Sequence, residues 1–210
     1  IENMDFIESV EFLANKVGYK LKYNLSGGSR ESGKVRNKLY EINELAKKYY
    51  QFILFKSKAG KMPLDYLKKR GFTEETIQEF EVGYSIDLWD NFTNFIIKRK
   101  FKPKEVIDSG LAIESTRKKG SVYDRFRGRI MFPIEDIIGK PSGFGGRIIT
   151  EKSNTAKQSA KYINTPETKI YSKSKNIYHI YQAKNFIVDM DEVLIVEGDT
   201  DVMSLYQSWI

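Results

Sequence analysis

Three carboxylates follow directly on the apolar run at residues 193–196, which makes up most of a strand predicted at 192–196. Glu197 ends the run, Gly198 permits a tight turn, and Asp199 and Asp201 begin a segment with helical spacing. An uninterrupted apolar strand is typical of the centre of a parallel sheet, where ligands bind at the carboxyl ends of the strands. Carboxylates this close repel one another unless a cation lies between them, and their hard oxygens favour Mg²⁺. The pattern therefore makes Glu197 and Asp201 candidate metal ligands.

A simpler explanation of this acidic turn needs no metal. Asp199 or Thr200 would cap the following helix, and Glu197 would pair with a neighbouring arginine. The sequence has no cysteine and one histidine, so thiolate and multi-histidine metal sites are excluded. We expect that histidine, His179, to be a surface or packing residue.

Basic residues are concentrated in the middle of the chain. The formal net charge is +7, and residues 115–175 hold 14 Lys and Arg against five Asp and Glu. Arg125, Arg127 and Arg129 alternate, so an extended segment would project all three guanidinium groups from one face. Such a row suits the phosphates of a polyanion. The alternative is a solvated basic face whose arginines pair with acids in the sequence around them, namely Asp124, Glu135 and Asp136.

A second basic position, Arg147, follows a glycine-rich run. The three glycines in residues 143–146 would let a backbone or a phosphate approach closely. Lys161 lies further along the same basic region. Aromatic residues are interleaved with these positions, and we expect them to pack in the core rather than on bases; they are Tyr123, Phe126, Phe144 and Tyr162.

The elements that position these residues change character along the chain. Spacing and stop signals predict helices at 5–17, 39–56, from about Pro63 to Gly71, from Thr73 to about Phe80, at 87–100 and at 103–109. Residues 129–134 and 143–149 predict a β-hairpin, and Tyr162–Ile163 a short strand. A helix is predicted at 176–186 and a buried strand at 192–196. Residues 21–38 are polar and predict a flexible linker.

Several segments resemble the signature blocks of bacterial DnaG-type DNA primases. They occur in that family's order: Tyr66–Phe80 with Val82–Tyr84, Tyr123–Ile134, Gly143–Arg147, Lys161–Thr168 and Val196–Val202. The resemblance covers nearly the whole chain. It implies an α/β fold, with an α+β amino-terminal subdomain at 39–185 followed by the start of a Toprim fold at 186–210. Residues 1–20 would be the last helix of a zinc-binding module.

The resemblance implies synthesis of short RNA primers on single-stranded DNA during replication by a nucleotidyltransferase. Glu197 would be the catalytic acid, and Glu197 with Asp201 would hold Mg²⁺ or Mn²⁺. Seven residues would bind template or nucleoside triphosphate: Arg70, Arg125, Arg127, Arg129, Arg147, Lys161 and Asn164. It further implies Zn²⁺ in the full-length protein only, a replicative helicase partner bound through a C-terminal domain, and a cytoplasmic replisome without membrane contact.

One departure limits the expected activity of this chain. The family's next strand carries an Asp-x-Asp metal pair, and that strand would follow Ile210, where this sequence stops. Because two-metal phosphoryl transfer needs more carboxylates than Glu197 and Asp201, we expect this fragment to be inactive in primer synthesis. Two alternatives stay open: a primase-helicase or another Toprim enzyme that acts on nucleic acid, and a module that binds single strands without chemistry.

Overall fold

The computed structural model describes residues 6–19, 27–116, 120–149 and 160–208. The chain divides into two compact units, Ile1–Val35 and Arg36–Ile210. In the first unit, helix α1 spans Phe6–Lys16 and confirms the predicted amphipathic helix. Gly18 has a φ of +68°, which is the left-handed conformation expected where a helix ends at glycine.

Helix α2 spans Gly27–Lys56, and the division between the two units falls within it. The linker predicted for 21–38 is therefore wrong in its secondary structure over 27–38, while residues 20–26 lie outside the described part of the chain. Adding residues to a helix that has already nucleated costs little, and Arg30, Lys34 and Arg36 are good helix formers. From Leu39 onward α2 buries one side in the core, as the apolar spacing predicts.

Four short helices follow α2 and confirm the predicted helical first half. They are preceded by a 3-10 turn at Lys58–Gly60 and comprise α3 (Lys61–Lys69), α4 (Glu74–Glu79), α5 (Asn91–Ile97) and α6 (Pro103–Asp108). Thr73 caps α4, because its hydroxyl accepts a hydrogen bond from the Thr76 amide at 3.2 Å. Gly71, with a φ of +94°, follows the end of α3 as predicted.

The strands form two antiparallel sheets. The larger sheet has the order β1-β4-β5-β6, and the smaller pairs β2 with β3. Their bounds are β1 (Gly83–Ser85), β2 (Ala112–Glu114), β3 (Val122–Asp124), β4 (Arg129–Glu135), β5 (Pro141–Ile148) and β6 (Tyr162–Asn164). The β4–β5 hairpin and β6 confirm the sequence prediction; β1, β2 and β3 were not predicted. The predicted α+β class is thereby confirmed for this part of the chain.

The larger sheet is covered on both faces, so its strands position side chains into two separate environments. Met131 and Phe144 pack on one face with Ile42 and Ala46 of α2. Ile130 and Phe132 pack on the other, with Met203. Because successive residues of a strand point to opposite faces, residues adjacent in sequence within β4 or β5 lie on different faces of the sheet.

Two helices lie in the last part of the described chain, α7 (Ile180–Met190) and α8 (Asp199–Gln207). The strand predicted at 192–196 is wrong: the segment has no regular structure, and Ile195 is 86% exposed. A strand needs a neighbour for its backbone groups, and no strand within the described residues pairs with it. The predicted domain boundary between 185 and 186 falls within α7 and stays a prediction. None of the helices described is both long and apolar enough to cross a bilayer.

Candidate nucleic-acid and metal site

A partly exposed aromatic pair lies against Arg127, one of the predicted arginines. Trp89 and Tyr123 stack with ring centroids 4.3 Å apart, and the Arg127 guanidinium lies 4.4 Å from the Trp89 ring centroid. Trp89 is 56% exposed. The Arg127 Nη1 atom is buried without a hydrogen-bond partner among the described residues. This group, named here the Trp89 cluster, combines a flat aromatic surface with a cation that keeps an unsatisfied donor.

The predicted row of three arginines on one face is wrong. Residues 125–128 leave the β3 strand in an irregular turn, with Gly128 at a φ of +63°. Arg129 begins β4 and is only 2% exposed. Its Nη1 donates to the carbonyls of Gly146 (3.1 Å) and Lys161 (3.2 Å), and its Nη2 to that of Ala160 (2.9 Å). Arg129 thus ties the start of β6 to β5 and has no face directed to solvent.

Arg125 is half-buried beside this turn. Its backbone amide donates to the Leu111 carbonyl at 3.0 Å, and its Nε is buried without a partner among the residues described. Burial lowers the pKa of the guanidinium, because the charged form loses water. Arg125 therefore keeps an unsatisfied donor, and an anion could accept its hydrogen bond.

Arg147 lies at the centre of a second cluster. Its guanidinium is 5.3 Å from the Tyr162 ring centroid and 5.8 Å from that of Tyr66. Arg70 joins the same group, since its Nη1 donates to the Tyr66 hydroxyl at 3.4 Å. The Arg147 Nε is buried, and no hydrogen-bond partner is found for it within the described chain. We name these four residues the Arg147 cluster.

Asn164 ends β6 on the face of the Arg147 cluster, and Lys161 directly precedes this strand. Both side chains are exposed. The register pairs Tyr162 with Arg147 and Asn164 with Gly145, so these four positions share one face of the sheet. The structure therefore brings three of the predicted site residues, Arg70, Arg147 and Asn164, toward one side.

The predicted alternative, that these arginines pair with nearby acids, is wrong for the described residues. The Asp124 carboxylate accepts hydrogen bonds from the Phe92 and Thr93 amides, both at 2.8 Å. Glu135 accepts from Gln182 and Asp136 from Tyr40, each at 2.7 Å. The acids thus have other partners, and no ion pair found among the described residues involves Arg125, Arg127, Arg129 or Arg147.

The acidic turn packs against the sheet through Asp199. A Cβ atom built on Gly145 would lie 3.1 Å from Asp199 Oδ2 and 3.4 Å from Asn164 Oδ1. Gly145 and Arg147 are two residues apart in β5 and point to the same face. Arg129 lies on the opposite face, because a Cβ on Gly146 would approach its Cδ to 3.1 Å. The acidic turn therefore shares a face with Arg147 and not with Arg129.

The electrostatics of the turn reflect crowded negative charge. Burial raises the pKa of Asp199 to about 6, and the negative charge of Asp201 adds to the effect. Asp201 closes the start of α8, since its Oδ2 accepts a hydrogen bond from the Gly198 amide at 3.1 Å. Glu197 is exposed. The predicted helix cap is thus formed by Asp201, rather than by Asp199 or Thr200.

The turn offers the kind of donor that a divalent cation takes. Carboxylate oxygens are hard ligands, and the repulsion between Asp199 and Asp201 is the sort that a bound cation relieves. Within the described ranges, however, no three His, Cys, Asp or Glu residues are grouped so as to hold a metal. Glu197 and Asp201 would supply part of a ligand set.

The space over the glycine-rich run is filled by the protein's own side chains, so the run does not form an open site for a phosphate. Asp199 lies over Gly145, and a Cβ on Gly146 would meet the Phe126 ring at 2.6 Å. On Gly143 it would meet the Tyr171 ring at 2.8 Å. The expectation that Phe126 and Phe144 pack in the core is confirmed. For Tyr123 and Tyr162 it is wrong, since both lie against arginines.

Three site residues were missed in the sequence analysis: Trp89, Tyr66 and Asp199. Tyr66 and Arg70 are four residues apart, which places them on one face of a helix, so that spacing was an available signal. The helix predicted at 87–100 includes Trp89, but α5 begins only at Asn91. Nothing in the local sequence distinguishes Asp199 from an ordinary helix-capping acid.

Comparison with known proteins identifies the family. The family described as the DNA primase catalytic core, N-terminal domain, matches residues 49–184. The DNA primase of Deinococcus radiodurans is 35% identical over 207 residues, which is 99% of this chain and 33% of that protein. The chain belongs to the DnaG-type DNA primase family. It spans about a third of the length of the curated primases it matches.

Solved primase structures share the fold. The RNA polymerase domain of Mycobacterium tuberculosis primase DnaG superposes with a TM-score of 0.75 at 31% identity, covering 82% of this chain and 53% of that one. A DnaG primase catalytic domain bound to single-stranded DNA superposes with a TM-score of 0.70 at 34% identity, covering 83% and 52%. The primase α+β core thus accounts for most of the described chain.

Proposed function

We propose that the protein to which this chain belongs is a replicative DNA primase that makes short RNA primers on single-stranded DNA. The observation that carries the proposal is the pair of arginines, Arg127 and Arg147. Each lies against aromatic rings and retains a buried guanidinium nitrogen for which no partner is found in the described part of the protein. Buried donors are normally satisfied, so such a donor points to a ligand.

Single-stranded nucleic acid suits both features of each cluster, the unsatisfied guanidinium donor and the aromatic ring beside it. Phosphate oxygens accept paired hydrogen bonds from a guanidinium fork, and unpaired bases stack on aromatic faces. The Trp89 cluster offers an exposed indole beside Arg127, and the Arg147 cluster offers Tyr162, which is 47% exposed. The related catalytic domain bound to single-stranded DNA supports the same choice of partner.

The chemical step of the proposal is nucleotidyl transfer. The primer 3′ hydroxyl attacks the α-phosphorus of a nucleoside triphosphate, a new phosphodiester bond forms, and pyrophosphate leaves. Mg²⁺ or Mn²⁺ held by Glu197 and Asp201, when bound, would neutralise charge on the triphosphate. Arg147 shares a sheet face with the acidic turn and would orient the phosphates of triphosphate or template. Arg125 and Lys161 are proposed as further phosphate contacts of the template.

Other parts of the proposal concern the whole protein. For the intact protein we propose the domain organisation that the resemblance implies, with a zinc-binding module first and a Toprim fold that begins at residue 186. We also propose the Zn²⁺ of that module, a replicative helicase partner and a location in the cytoplasmic replisome. Arg129 is given a positioning role, because its donors hold the β6 backbone.

The salt dependence of single-strand binding tests the proposal. Removing one phosphate interaction should reduce the slope of log affinity against log salt by about 0.7 for a single strand. We expect Arg127→Ala combined with Arg147→Ala to flatten the slope by about 1.4. Arg99→Ala is the matched control, because Arg99 also lies on an aromatic ring, 3.7 Å from the Phe95 centroid. An unchanged slope in the double variant would remove both arginines from the strand path.

A binding module without chemistry is the second candidate, since both clusters would serve it equally well. Glu197→Gln in the full-length protein separates the two functions. A primase should lose about 100-fold or more in primer synthesis, on the scale of a missing catalytic acid or base, and keep its affinity for single strands. Primer synthesis that survives this substitution would exclude Glu197 as the catalytic acid.

A further inference from the structure

A cationic groove lies along α3, next to the Arg147 cluster. It has a volume of about 530 Å³, within the range of sites that enclose small ligands. Its rim carries Lys58, Lys61 and Lys69, and Asp65 is the one acid among its described lining residues. We name it the α3 groove. Neither cluster of the proposed strand path includes these lysines.

The lysines of the α3 groove are not neutralised by ion pairs within the described residues. All three are exposed, and none forms an ion pair with any residue that the structure describes. Lys68, on the same helix but outside the groove lining, pairs with Glu74 at 2.7 Å. Three unpaired ammonium groups against one carboxylate leave the groove with a net positive charge, which attracts a polyanion.

The groove also has an apolar side. Met62, Tyr66 and Ile149 line it, and Met62 is 48% exposed. Met62 and Tyr66 are four residues apart, which places them on one face of α3. A groove with ammonium groups at its rim and a ring beside them is suited to a strand that presents phosphates and bases together.

Tyr66 connects the groove to the proposed strand path. Its ring lines the groove, lies 5.8 Å from the Arg147 guanidinium, and its hydroxyl accepts from Arg70. Ile149 follows Arg147 by two residues, directly after the end of β5. A strand held at Arg147 therefore has a continuous basic and aromatic surface into the groove.

We propose that the α3 groove is an extension of the single-strand path, in which Lys58 and Lys61 contact the phosphates of nucleotides beyond those held at Arg147. The inference rests on the proposed function and adds a second segment to its binding surface. Lysine suits this role because its ammonium group binds phosphate as a point charge, without a required orientation. Such contacts lengthen the bound segment and carry no base preference.

The test compares labelled single-stranded oligonucleotides of about 6 and about 20 nucleotides, a range that spans typical single-strand site sizes. Fluorescence anisotropy would measure their affinity for the 210-residue chain across a salt series. We expect Lys58→Ala with Lys61→Ala to reduce the salt slope of the long strand by about 1.4, the value for two fewer neutralised phosphates, and to leave the short strand unchanged.

The control removes the same charge from lysines that already pair with acids. Lys48 lies 3.0 Å from Glu44 and Lys104 3.5 Å from Asp108, so Lys48→Ala with Lys104→Ala should leave both slopes unchanged. Equal melting temperatures would show that each variant folds. An unchanged long-strand slope in the groove variant, or an equal loss for the short strand, would overturn the extension. Failure of the unsubstituted chain to bind either strand would instead contradict the proposed function itself.

Discussion

Asp199 rests directly on Gly145, with the carboxylate Oδ2 3.1 Å from the place that a Cβ atom would take. We therefore expect Gly145→Ala to push the Asp199 carboxylate away by a few tenths of an ångström and to destabilise the fold by about 1 kcal/mol, the low end of the usual cost of overpacking. Urea unfolding measures the change. In a double-mutant cycle with Asp199→Ala most of the cost should vanish, because the obstructing carboxylate is gone.

The matched comparison for this prediction is Gly146→Ala. Its Cβ would lie 2.6 Å from a ring carbon of Phe126, on the other face of β5. That cost should persist when Asp199 is replaced. If Gly145→Ala remained equally destabilising in the Asp199→Ala background, the contact between the acidic turn and β5 would not be its cause.

Trp89 should report directly on single-strand binding. The chain has two tryptophans, so Trp209→Phe isolates the Trp89 signal. We expect a single strand to quench this fluorescence as a base stacks on the exposed indole. Trp89→Ala should weaken binding by about 1 to 3 kcal/mol, the usual value for one base–aromatic stack. Leu88→Ala provides a control, because Leu88 is a similarly exposed neighbour at 53%. Fluorescence that did not change at saturating strand would contradict stacking on Trp89.

Arg129 should behave as a structural residue. Arg129→Lys keeps the charge but loses the planar fork that reaches three backbone carbonyls, so we expect a decrease of about 3 kcal/mol in the free energy of unfolding. Arg127→Lys, at a more exposed position, should cost less than about 1 kcal/mol. Chemical denaturation measures both. Equal effects of the two substitutions would contradict the positioning role.

His179 should titrate below its ordinary range. Its ring stacks on Phe80 at 4.3 Å, and burial lowers its pKa. The unfolded state then binds more protons than the folded state just below pH 6.5, so stability rises with pH up to about 6.5 and is lost on acidification. His179→Phe should remove this part of the acid sensitivity. NMR titration of the single histidine measures the pKa, and a value above about 6.5 would contradict the prediction.

Much of the fold could be predicted because its signals are local. Helix α4 has its cap in Thr73, and the β4–β5 hairpin has apolar strands around a turn that contains Gly139 and ends before Pro141. The linker prediction for 21–38 was wrong over 27–38, because glycine and serine suggest a flexible segment. The helix nevertheless extends into this segment from the strongly helical residues that follow it. The strand at 192–196 was wrong because strand formation requires a partner elsewhere in the chain.

The candidate site was predicted in its residue types more than in its geometry. Alternation predicted one row of Arg125, Arg127 and Arg129, which is wrong because the turn at Gly128 separates them, and only the three-dimensional structure shows that Arg129 is buried. Arg147 and Asp199 come together through strand register and the docking of α8. Such long-range relations leave no periodic pattern in one sequence.

The exposed segment from Val193 to Ile195 has a practical consequence. Its three side chains are between 60% and 86% exposed, and its backbone joins no sheet of the described chain. A stretch of exposed aliphatic residues outside any sheet readily adheres to a similar stretch on another molecule. Solutions of this 210-residue polypeptide should therefore become turbid as concentration rises, and a charged replacement at Ile195 should keep them clear.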